Sequence, residues 1–199
     1  MLSLIAELGY SKQCIVFTQG DDLDFPHKES YCKRVVSALG YEQHYYMMSE
    51  VSALEILSKM EIYEDFPDIF FPVIEKFVRE HCPDAVIMGL RQQESKARRM
   101  TIGRYGQMFL AKKDNLHHCF PVGKWTGVDV FAQIMSSGVE YIDIYDKDSV
   151  DRAPHEIRFS WAFSPAFAAD AGSAFWLKKH YPEIFTRLAA INPQLRNYV

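Results

Sequence analysis

Residues 85–99 read AVIMGLRQQESKARR. Four apolar residues, Ala85 to Met88, form a short run of the kind found inside a sheet covered on both faces, and the run stops at Gly89. From Gly89 to Arg99 the chain becomes polar and basic, which predicts a strand-end loop followed by the start of a helix. On helical spacing Arg91, Ser95 and Arg98 fall at i, i+4 and i+7 and share one face pointing back toward the strand end. The planar fork of arginine suits the oxygens of phosphate or sulfate, Gly89 permits a sharp turn and close backbone approach, and helix N-terminal amides add to the attraction. The segment therefore reads as a holder for a phosphate- or sulfate-like group. The competing reading pairs Glu94 with Arg98 at i, i+4 on a solvated helix, an interaction worth about 0.3–0.5 kcal/mol.

Outward from this stretch, strand and helix signals alternate. Leu2 to Leu8 has helical spacing and ends at Gly9, and Cys14 to Thr18 (CIVFT) is a β-rich run followed by the loop Gln19 to Pro26 and an amphipathic stretch from His27 to Leu39. His44 to Met48 is strand-like, and Phe66 to Glu80 carries a long helical pattern. Leu116 to Phe120 reads as a further short strand, Thr126 as the N-cap of a helix from Gly127 to Met135, and the tail as two helices around Tyr181-Pro182. Apolar strands separated by helices predict a doubly wound, mostly parallel α/β sheet with helices on both faces. Ligands in such sheets bind beyond the carboxyl ends of the strands, where the loops after Thr18 and at Gly89 lie.

The chain has 199 residues, 48% hydrophobic and 24% charged, and no apolar run approaches the roughly 18 residues that cross a bilayer. A membrane-embedded protein is excluded on this pattern, and the start MLSLIAELGYSKQ carries Glu7 within its apolar stretch, so a cytoplasmic location is expected. Cys14, Cys32, Cys82 and Cys119 are scattered without a C-x-x-C pair, so neither a disulfide framework nor an iron–sulfur or zinc site is expected. A net charge of -4 gives no strong nucleic-acid signal but leaves room for a local cluster of cations.

Three blocks together resemble the phosphoadenosine phosphosulfate (PAPS) reductase family of the adenine nucleotide alpha hydrolase superfamily: VFTQGDDLDFP at 16–26, GLRQQESKARR at 89–99 and FPVGKWTGVDVF at 120–131. The resemblance implies a nucleotide-binding domain over residues 1–140, incomplete at its N-terminus, and a helical or irregular extension over 141–199. It further implies an adenine nucleotide, ATP or PAPS, as the ligand. Thr18, Gly20 and Phe25 would lie near the adenosine, and Gly89, Arg91, Glu94, Ser95 and Arg98 near phosphate or sulfate. Mg²⁺ is the ion expected to accompany ATP, with Asp21, Asp22 and Asp24 as the nearby carboxylates, although such a run more often serves turn chemistry.

Two departures shape the expectation. The superfamily opens on a strand and a glycine- and serine-rich phosphate loop, whereas this sequence starts inside the helix that follows them, which predicts a fragment, a partner chain or homo-oligomer that completes the sheet, or a non-catalytic relative. PAPS reductases also use a C-terminal cysteine nucleophile, and here the last cysteine is Cys119, so reduction by that route is not expected. His117, His118 and Cys119 on a short strand point to alternate faces and cannot all share one metal. Arg152, His155 and Arg158 in the tail form a secondary candidate cluster.

Overall fold

The computed structural model describes residues 1–22, 24–48, 52, 55, 71–147, 171–191, 193 and 196. The chain opens with helix α1 (Leu2–Glu7), whose end is marked by Gly9 at φ +80, a left-handed position that a glycine takes without strain. Strand β1 (Ile15–Gly20), helix α2 (Lys28–Ala38) and strand β2 (Gln43–Met48) follow, and β1 pairs with β2 in parallel, Thr18 opposite Tyr46 and Gly20 opposite Met48. Helix α3 (Phe71–His81) leads into β3 (Ala85–Ile87), then come α4 (Lys96–Tyr105), β4 (Met108–Ala111), β5 (Leu116–Cys119) and α5 (Gly127–Ser137). Helices α6 (Ala171–His180) and α7 (Pro182–Ile191) form a hairpin near the end of the chain, with Pro182 at a helix start where its missing N–H removes no bond.

Successive residues of β1 face opposite sides. Val16 joins Val36 and Tyr41 in a buried cluster closed by Leu2, Ile5, Ala6, Cys14 and Leu39, and the Tyr41 hydroxyl donates to the Leu2 carbonyl at 2.8 Å. Phe17 turns the other way, to the ring of Phe77 on α3 at 4.7 Å, where Tyr45 of β2 also meets it at 5.6 Å. Helices therefore cover both faces of the β1–β2 pair, as the doubly wound pattern requires. The fold is mixed α/β.

Among the described residues the strands bond as two sheets, β1–β2 and β3–β5–β4, rather than the single sheet expected. β3 and β5 are parallel, while β4 runs antiparallel to β5. β1 and β3 each keep one edge without a described strand partner, and α1 reaches toward both strands. It packs on Val16, and the Met1 side chain lies beside Gly89 at the end of β3, 3.9 Å from where a Cβ would stand. Strand β4 was not foreseen. It is four residues long, on the sheet edge, with Met108 and Leu110 exposed, and it turns into β5 through Asn115 at φ +57.

The C-terminal hairpin has its own apolar seam of Trp176, Leu177, Tyr181, Ile184, Phe185, Leu188 and Ala189, all buried. Phe25, buried in the loop after β1, meets Tyr181 with ring centroids 5.0 Å apart. No helix among the described residues is long and apolar enough to cross a membrane.

Candidate functional site

The loop leaving β3 is pinned by its backbone and its amides. Gln92 N donates to the Gly123 carbonyl at 2.8 Å, and Gly127 N donates to the Gln93 side-chain oxygen at 2.9 Å. These bonds dock GLRQQES against the segment that carries Trp125 and Thr126. Thr126 is the N-cap of α5 in a full capping box: Asp129 N donates to Thr126 Oγ1 at 3.2 Å, and Thr126 N donates to Asp129 Oδ2 at 2.7 Å. The same Thr126 N–H bond holds the Asp129 carboxyl below its usual range.

Glu94 lies at the centre of the basic cluster. Its carboxylate accepts from Arg91 N at 3.2 Å, from Arg91 Nε at 3.0 Å, and from Arg98 Nη1. The Arg91 and Glu94 side chains are 13% and 16% exposed and that of Arg98 is 39% exposed, so the first pair is withdrawn from solvent and the second guanidinium faces it. Arg91 Nη1 is buried and has no hydrogen-bond partner among the described residues. Tyr145 lies close by; burial pushes its hydroxyl above the ordinary value, and the positive charge of Arg91 opposes that shift.

The helical phase assumed for Arg91, Ser95 and Arg98 needs correction. Helix α4 begins at Lys96, with Ser95 as its N-cap, so Arg91 belongs to a turn closed by Glu94 N donating to the Arg91 carbonyl at 3.1 Å. Ser95 Oγ accepts from Arg98 N at 3.1 Å, which commits that lone pair to the cap. The two guanidiniums do converge, through Glu94. Gly89 does not take a left-handed φ.

Thr18 and Gly20 lie on β1 of the other sheet, and Phe25 lies in the loop after it. Thr18 Oγ1 lies 3.1 Å from His44 Nε2. A Cβ at Gly20 would stand 2.5 Å from the Tyr46 ring, so the space beside this glycine is filled by a tyrosine. Phe25 is a core contact to the C-terminal hairpin. Asp24 is saturated: its oxygens accept from Lys28 Nζ at 2.7 and 2.9 Å, from Asp21 N at 3.0 Å and from the Tyr46 hydroxyl at 3.1 Å. Its oxygens are thus committed within the loop, and no group of three or more His, Cys, Asp or Glu able to hold a metal occurs among the described residues. His118 stacks on Phe109 and lies 2.8 Å from Asp114 Oδ2. Arg152, His155 and Arg158 lie outside the described residues.

Lys28, Tyr46, Gln93 and Tyr145 were not singled out from the sequence. The Asp24–Lys28 pair was visible as an i, i+4 spacing at a helix start. The other three depend on chain segments distant in sequence.

The chain is thus mixed α/β with parallel strand pairs, and a two-arginine cluster follows the carboxyl end of β3. The profile of the phosphoadenosine phosphosulfate reductase domain matches residues 1–188, and the chain belongs to that family. No curated protein matches the chain significantly.

Proposed function

We propose that the chain binds an adenine nucleotide and acts on ATP or an adenylyl sulfate, with the phosphate or sulfate group held by Arg91 and Arg98 beside the Ser95-capped start of α4. One observation carries the reading: two guanidiniums meet at the carboxyl end of β3, and one of them has a buried donor without a described partner. Buried N–H donors are costly to leave unmade, and an oxyanion would supply the acceptor. Cations at this point would also stabilise charge developing on a leaving pyrophosphate or sulfate. Calorimetric titration with ATP, AMP and PAPS tests the proposal. Micromolar to millimolar binding by the wild-type chain that is lost in Arg91→Ala supports it, and no affinity of the wild type for any of the three overturns it.

A second reading, an interaction or regulatory module without catalysis, is favoured by the edges of β1 and β3 that have no strand partner among the described residues. A strand from a second copy or a partner chain would join them. Size-exclusion chromatography with light scattering separates the two: a stable homo-oligomer that binds no nucleotide favours the module, and a nucleotide-binding monomer sets it aside.

A further inference from the structure

Arg91 and Arg98 are held unequally by one carboxylate. Glu94 takes both the main-chain N–H and Nε of Arg91, on a side chain 13% exposed, but makes a single contact to Arg98, which is 39% exposed. The first grip fixes a cation in place; the second is open to solvent and to exchange. We propose that Glu94 is the resident anion of this arginine pair, displaced from Arg98 by a doubly charged tetrahedral oxyanion while its hold on Arg91 persists. The proposal rests on the oxyanion reading above and deepens it by naming the ligand class and the residue that sets it.

The selectivity follows from competition within one molecule. Glu94 is tethered next to Arg98 and therefore acts at a high effective concentration. A free carboxylate or other monoanion would replace like with like and lose its own translational freedom, so it gains nothing. A sulfate or phosphate dianion brings twice the charge and more acceptor oxygens, enough to reach both Arg98 and the buried Nη1 of Arg91. Both guanidiniums bond the one carboxylate of Glu94, and a dianion answers their paired charge more fully than a monoanion or a neutral ligand. Glu94 thereby serves as a positioning and specificity residue rather than as a group that reacts.

Removing the carboxylate charge should make the site dependent on an added anion. Glu94→Gln is expected to lower the melting temperature in chloride buffer and to recover most of the loss in millimolar sodium sulfate or pyrophosphate at matched ionic strength. Its half-saturating sulfate concentration should fall about tenfold below that of the wild type. Acetate should give no rescue, and Arg98→Ala on top of Glu94→Gln should abolish it. Equal sulfate responses in wild type and variant, or rescue by acetate, would overturn the proposal. Should Glu94→Gln not fold, Glu94→Asp, whose shorter arm cannot span both arginines, replaces it with the same expected direction. Nucleotide binding lost in Arg91→Ala but indifferent to Glu94 sinks this inference and leaves the nucleotide reading standing. Sulfate rescue without any nucleotide affinity in the wild type does the reverse.

Discussion

Gly20 lies against the ring of Tyr46: a Cβ at position 20 would stand 2.5 Å from both Cε1 and the hydroxyl oxygen of that tyrosine. The tyrosine is not free to withdraw, because its hydroxyl donates to Asp24 at 3.1 Å and Asp24 is clamped by Lys28. Burial, and then the charge of Asp24, push the Tyr46 hydroxyl well above its ordinary pKa, so it remains a donor at any physiological pH. Lys28 also donates to the Gln19 carbonyl at 2.9 Å, which fastens the end of β1 to the start of α2. Residue 20 is thus small because the knot beside it is tight.

Gly20→Ala is therefore expected to destabilise the chain by about 1–3 kcal/mol, the usual cost of forcing an extra methyl into a packed site. Urea unfolding measures it. Combining Gly20→Ala with Tyr46→Ala should cost less than the sum of the two single changes, since they share one contact; strict additivity would show that the glycine matters for another reason.

Phe25 and Tyr181 join the loop after β1 to the C-terminal hairpin, and both rings are buried. Phe25→Ala leaves a cavity at that joint and is expected to cost about 3–5 kcal/mol by urea unfolding. Phe25→Leu, which keeps most of the volume, should lose far less. If both variants unfold with the wild-type midpoint, the hairpin does not depend on this contact.

The capping box at Thr126 gives a cleaner local test, because the residue is exposed and its substitution disturbs no core packing. Thr126→Ala is expected to cost about 1 kcal/mol. Thr126→Ser, which keeps the acceptor for Asp129 N, should restore nearly all of it. A serine variant as unstable as the alanine variant would mean that the methyl group, not the cap, is what counts.

This cap was readable in the sequence because every group in it lies within four residues. The same holds for the strand, loop and helix start of residues 85–99 and for the two helices around Tyr181-Pro182. What escaped was set by distant partners. The reason for Gly20 is a tyrosine that the parallel register of β1 and β2 brings beside it, 26 residues later. Strand β4 was hidden because four residues on a sheet edge carry too little periodicity to stand out. At the candidate site the residue types were legible and their arrangement was not: helical spacing suggested one face, whereas a turn held by Glu94 brings Arg91 and Arg98 together. The split into two sheets likewise depends on which strand edges find partners, and no local pattern encodes that.

His44 ties the stability of the β1–β2 sheet to pH. Its ring lies on β2 within 3.1 Å of Thr18 Oγ1 on β1, and burial lowers its pKa from the ordinary 6.5, with Lys33 adding to the effect and Glu29 opposing it. A histidine whose folded pKa is depressed binds fewer protons folded than unfolded below that value, so stability is complete above 6.5 and declines as pH falls toward the folded pKa. His44→Gln keeps a polar partner for Thr18 and removes the titration. Urea midpoints between pH 7.5 and about 5 should therefore fall less steeply for His44→Gln than for the wild type, the difference opening just below 6.5 and levelling off once His44 is protonated in both states. Parallel curves would show that His44 does not titrate differently on folding, and the Thr18 contact would then be a packing feature without electrostatic consequence.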